Sequence, residues 1–227
     1  MKTYRAIVID YGHGEDTPGK RYTFTDHGDL DCHEYKTNRM TAARLIPMLL
    51  RAGFRVFDSV ARREWTRKDV EAEDCFCWRT LHQGDVSLKS RVWYANTIKG
   101  SFLLSLHSNA VGYSNKGKSL RPRGGVMYTS PGETSSDAIA ESLYDAFVRA
   151  FETEPVFMLK GDTSDGDHDN EARFYMLTKT RGPAVLGEML FFVNIDDARY
   201  LLSSEGQDVI AGAYFDGVAG YLERVVS

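Results

Sequence analysis

Four residues, His13, Glu34, His107 and Glu188, are of the types that together carry out metal-assisted hydrolysis. Two imidazoles and one carboxylate are a common catalytic zinc set, because three protein ligands leave one coordination position open for water. A metal held in this way polarises a carbonyl oxygen and makes water acidic near neutral pH. A second carboxylate close by can act as general base, taking the proton of that water and returning it to a departing nitrogen. The reaction such a set suits is amide hydrolysis.

The elements around these residues give them a common address. Tyr4 to Asp10 reads as a buried strand running into the turn Tyr11-Gly12-His13-Gly14. Phe102 to Leu106 reads as a strand ending at His107, and Pro183 to Gly187 as an apolar run ending at Glu188. Open α/β sheets place their chemistry beyond the carboxyl ends of the strands, so residues leaving three strands can converge there. Taken singly, His13 is a turn residue and Glu34 a first-turn acid favoured by the helix dipole. Glu188 is harder to dismiss, since a carboxylate ending an apolar strand needs water, a metal or a cation as partner.

Further elements follow from periodicity and punctuation. A helix is predicted over about 34–52, with Pro47 kinking it and Gly53 at C′. A strand follows at 55–58, then a helix over about 88–98 with Ser87 as N-cap, and a strand at 125–129. A long helix covers about 136–151, a short strand 184–186, and a final helix starts at a Ser204…Gln207 capping box. This alternation predicts an α/β fold: one domain over 1–227, with a mostly parallel twisted sheet covered by helices on both faces. Two insertions, near 60–86 and 154–173, interrupt it, and no separate second domain is expected.

Composition narrows the function classes. A net charge of −4 gives no global basic field, so nucleic acid is not expected as a partner, and Arg121-Pro122-Arg123 is only a local basic spot. No apolar run reaches the roughly 20 residues of a membrane span, and no secretory signal is expected before the first strand. Cys32, Cys75 and Cys77 lack paired spacing and read as reduced thiols.

Taken together, the segments resemble the zinc-dependent N-acetylmuramoyl-L-alanine amidase family, the type 3 amidase domain of bacterial autolysins and phage endolysins. The resemblance runs through Ile7 to Gly14, Glu34, Leu88-Lys89-Ser90-Arg91 with Ala95-Asn96, Ser105 to Ala110, and Pro183 to Glu188 with Asn194. It implies one zinc ion held by His13, Glu34 and His107, with Glu188 as the catalytic carboxylate. It implies peptidoglycan as substrate, cleaved between the lactyl group of N-acetylmuramic acid and L-alanine. An endolysin made in the host cytoplasm and released to the wall is the expected setting, a cellular envelope amidase the other. A zinc carboxypeptidase or amidohydrolase acting on another peptide, and a non-catalytic wall-binding module, are the alternatives.

Two positions depart from the family pattern: Tyr11 stands where proline is usual, and Met189 to Val193 replaces a glycine-phenylalanine-isoleucine-serine type run beside Glu188. His33, His27, Asp26, His82 and His168 are expected to be solvated or peripheral. The alternating Asp165, Asp167, Asp169 and Glu171 suggest a calcium loop, but Asn170 occupies the position where glycine is required. Arg91 is expected to anchor nearby groups, and Trp65, Phe76 and Trp78 to form the first insertion's own small core.

Overall fold

Along the first strand, alternate side chains enter two different cores, as the two-residue repeat of an extended chain requires. The computed structural model describes residues 6–72, 76–111, 122–159, 161, 163 and 166–226. Tyr4, Cys75, Arg121 and Asp165 lie outside the described residues. In chain order the elements are β1 (Ala6–Tyr11), β2 (Arg21–Phe24), β3 (Leu30–His33), α1 (Glu34–Arg51), β4 (Arg55–Asp58), β5 (Arg63–Trp65), α2 (Arg67–Glu71) and α3 (Leu88–Ala95). They continue with β6 (Ser101–Asn109), β7 (Val126–Thr129), α4 (Asp137–Ala150), β8 (Asn170–Glu171), α5 (Tyr175–Lys179), β9 (Ala184–Phe191), α6 (Ile195–Leu202) and α7 (Ser204–Val226).

Seven strands form one sheet in the order β5-β4-β1-β6-β9-β7-β8, while β2 and β3 make a separate hairpin. The central strands β4, β1, β6 and β9 are parallel; β5 and β7 run antiparallel to their inner neighbours. Ile7, Ile9 and Tyr11 face the larger core, which includes Leu45 and Leu49 of α1, Leu143 and Phe147 of α4, and Tyr214 of α7. Ala6 and Val8 face a smaller core closed by Val92 and Ala95 of α3 and Met176 and Leu177 of α5. This is the expected mostly parallel sheet with helices on both faces. No helix among the described residues is long and apolar enough to cross a membrane.

Several local expectations change. The final helix is not opened by a Ser204–Gln207 capping box: Ser203 Oγ accepts from the Gly206 amide, and the buried Gln207 side chain donates to the Leu201 carbonyl and accepts from Thr41. Helix α3 stops at Ala95, short of Ile98, and the Asn96 side chain instead bridges the Lys179 carbonyl and Arg181 amide. Strand β9 runs on to Phe191, so Met189 to Val193 is core; Leu190, at φ 63°, marks an irregularity in its pairing with β6. Trp65 and Phe76 pack edge to face, 5.3 Å apart, and join the main core instead of making one of their own.

At the far edge, Asp169 is 4 % exposed and accepts a 2.6 Å hydrogen bond from Thr129 Oγ1. Burial, with the negative charge of Asp167 beside it, pushes its carboxyl up to about 7. The folded form therefore holds a proton that the unfolded chain releases near pH 4, and stability should fall as pH rises between these values. Asp169→Asn should flatten that slope and raise Tm at pH 8, as thermal melts from pH 4 to 8 would show.

Candidate active site

Three backbone segments meet at the carboxyl ends of β1 and β6, with His13 in the turn past β1 and His107 still inside β6. The Gly12 amide donates to the Leu106 carbonyl at 2.9 Å, which carries the turn after β1 across the end of β6 and over His107. A Cβ at Gly12 would lie 2.0 Å from Cε1 of the His107 ring, so only glycine fits. His13 then adopts the left-handed φ of 63°, uncommon for a residue with a side chain. Arg39 and Asn38 of α1 hold this shape: Arg39 Nη2 donates to the His13 carbonyl at 3.0 Å and Asn38 Nδ2 to the Gly12 carbonyl at 3.1 Å. Gly12→Ala should displace the imidazole, weaken metal binding at least tenfold and cost about 1–3 kcal/mol through overpacking. A calorimetric zinc titration and a thermal melt would check both parts.

His13, Glu34 and His107 are brought together as their types and positions predict. Glu34 Oε1 lies 3.2 Å from His13 Nε2 and 3.0 Å from His107 Nδ1. One ligand atom from each residue lies within 4.8 Å of the others, and no second such group occurs among the described residues. The two Glu34–imidazole separations are close to the edge of about 3.3 Å expected of a tetrahedron with 2.0–2.1 Å metal–ligand bonds. Two imidazole nitrogens and a carboxylate oxygen converging on one point therefore fit a zinc-type ion. Glu34 is fully buried as the first residue of α1, next to the positive end of the helix dipole. Burial alone would raise its pKa, but hydrogen bonds from His107 and His13 hold the carboxyl well below its usual range. Burial lowers the pKa of His13; for His107 burial acts the same way, but Glu34 and Glu188 outweigh it and raise the pKa.

Glu188 lies directly across from His107, because β6 and β9 pair in parallel register there. Its Oε2 is buried without a hydrogen bond from any described residue. Burial pushes its carboxyl up to about 7; the positive charge of His107 opposes this and the negative charge of Glu34 adds to it. A carboxyl titrating in that range can both take up and give back a proton near neutrality.

Beneath the triad lies a buried polar network that the sequence does not announce. Asp10 accepts from Ser59 Oγ and Ser105 Oγ, both at 2.6 Å, and from Arg91 Nη1 at 3.0 Å. Arg91, 1 % exposed, also binds the Tyr11 and Val86 carbonyls and Asp85, so it is the expected anchor, though buried and not on the helix surface. Tyr11 fills the place of the usual proline by donating to the buried Asp58 at 2.8 Å while the Arg39 guanidinium lies 5.0 Å from its ring centre. The end of the first insertion locks onto the turn: Arg39 Nε donates to the His82 carbonyl, and a Cβ at Gly14 would sit 2.0 Å from the Asp85 amide nitrogen.

The other candidates stay outside the cluster. His33 pairs with Asp31 at 2.5 Å, and His27 and His82 are exposed. His168 is not simply solvated: Glu141 accepts from its Nδ1 at 2.8 Å and Tyr144 stacks on its ring at 4.4 Å. Trp78 lies under Lys36 and Arg79. Beside the triad opens a cavity of about 330 Å³, lined by Gly14 to Arg21 with His33 and Tyr35.

The family model described as N-acetylmuramoyl-L-alanine amidase matches residues 7–220. Among curated proteins none matches the chain. Among solved structures, the N-acetylmuramoyl-L-alanine amidase AmiC2 of Nostoc punctiforme is 22% identical with a TM-score of 0.68, covering 96% of this chain and 97% of its own. The catalytic domain of the amidase CwlV from Bacillus (Paenibacillus) polymyxa is also 22% identical, with a TM-score of 0.65 and coverage of 96% and 98%. The catalytic domain of the CD27L endolysin, which targets Clostridia difficile, is 17% identical, with a TM-score of 0.59 and coverage of 94% and 96%. At these identities the likeness is one of fold.

Proposed function

This chain belongs to the N-acetylmuramoyl-L-alanine amidase family, and from that premise we propose that it hydrolyses the amide between the lactyl group of N-acetylmuramic acid and the L-alanine of the stem peptide. His13, Glu34 and His107 would hold one zinc ion, and the observation that carries this reading is their convergence on Glu34 Oε1. When bound, zinc supplies Lewis-acid polarisation of the scissile carbonyl and makes water a nucleophile at neutral pH.

The remaining chemistry falls to the chain itself. Glu188, ionised, takes the proton of the attacking water on a carboxylate oxygen, then delivers it to the nitrogen of the departing L-alanine. Glu188 is half-buried, with its Oε2 out of water, which strengthens the interaction of that oxygen with the reacting groups. Arg39, Asn38 and the Asp10–Arg91 network keep the ligand-bearing backbone from moving as charge develops.

The cavity lined by Gly14 to Arg21, with His33 and Tyr35, adjoins the turn that carries His13 and offers space for the stem peptide. Within this activity an endolysin role is one setting and a cellular autolysin the other; lysis of host cells only when a membrane-permeabilising protein is co-expressed would support the first. The activity itself is tested by digesting purified peptidoglycan with and without a zinc chelator. New L-alanine amino termini appearing only without chelator are expected, whereas ends at another bond would replace the amidase assignment with a different specificity.

A further inference from the structure

The triad leaves the second oxygen of Glu34 unexplained. Oε1 faces both imidazoles, while Oε2 is buried and receives no aligned hydrogen bond from any described residue. The group that reaches it is the Lys20 ammonium, 3.1 Å away. The Glu34 amide donates to the Lys20 carbonyl at 3.0 Å, so the backbone before β2 is tied to the first turn of α1. The Lys20 side chain is 37% exposed and lines the adjoining cavity, which puts its head between a buried carboxylate and the cleft.

We propose that Lys20 is a positioning residue for the metal ligand Glu34: its ammonium occupies Oε2 so that Oε1 alone is offered to the ion. The inference rests on the zinc reading above. Without Lys20, the carboxylate is free to rotate and present either oxygen or both, and the buried Oε2 loses its cation. Outer partners that orient metal ligands typically contribute about 10–100-fold in metal affinity. Removing a positive charge beside a cation site acts in the opposite direction. That term is the smaller one, because a lysine more than a third exposed is strongly screened by solvent. The contact is one of charge and reach, so arginine should preserve it where a neutral chain cannot.

The test compares zinc dissociation constants, by chelator competition on metal-free protein, for wild type, Lys20→Met, Lys20→Gln and Lys20→Arg. Both neutral variants should bind zinc about 10–100-fold more weakly, with metal-free Tm within a few degrees of wild type, and Lys20→Arg should stay close to wild type. The glutamine variant serves if the methionine variant does not fold. Neutral variants that bind zinc as tightly as wild type, or more tightly, would overturn the inference while leaving the zinc reading intact; so would an arginine variant as weak as methionine. A wild-type protein that binds no zinc would overturn both.

Discussion

Glu188→Gln should retain a full complement of zinc and lose about 10²–10⁴-fold in turnover, the usual worth of a positioned proton-transfer group. Glutamine keeps the shape of the side chain and removes its ability to accept and return a proton. It also removes a buried charge: Glu188 Oε2 has no hydrogen bond from any described residue, so Tm should hold or rise. The metal should stay because Glu188 is not among the three converging ligands. The pH profile gives a second readout. The base must be ionised, so wild-type kcat should climb as pH rises through the titration of Glu188, pushed up to about 7 by burial, or somewhat lower once a cation sits nearby. The residual activity of the variant should lack that limb. Metal analysis, kcat on a muramoyl peptide and a melting curve decide it, and a zinc-loaded variant with normal rates would remove Glu188 from proton handling.

His107→Ala should lose both zinc and activity. Its loss takes away a ligand outright, so affinity should fall by more than the roughly 10–100-fold associated with losing an outer partner. Stability should fall as well. The buried Glu34 Oε1 would keep only His13, and breaking a buried charged pair commonly costs about 3–5 kcal/mol. Truncation also leaves empty the space under Gly12 that the ring fills. Circular dichroism on the metal-free variant separates a folded, zinc-free protein from an unfolded one. Undiminished zinc binding in a folded His107→Ala would break up the proposed ligand set.

Much of this site was legible because apolar runs mark strands, although only His13 lies past its strand: β6 continues to Asn109 and β9 to Phe191. His13, His107 and Glu188 each follow an apolar run, and those runs became the adjacent parallel strands β1, β6 and β9. Asp10 was read only as the end of a strand; its role depends on Ser59, Ser105 and Arg91, which lie 49 to 95 positions away in sequence. Arg39 gave no signal either, since a buried arginine served by carbonyls needs no acidic partner in the sequence. The β2–β3 hairpin was hidden in a polar loop because it buries only Phe24 and Cys32 fully and so lacks the apolar run of a core strand. The antiparallel direction of β7 could not be read from its composition, because orientation is set by the chain's route between elements and not by the strand's own residues.

The order of strands in the sheet has one further consequence. The site rides on β1, β6 and β9, which are flanked on both sides, whereas β5 and β8 form the rims. Rim strands fray by small openings, while interior ladders release their amides only when the whole domain comes apart. His107 and Glu188, held within β6 and β9, should therefore keep their places through breathing at the margins, whereas His13 on the turn and Glu34 on α1 depend on the contacts that hold those segments against the sheet.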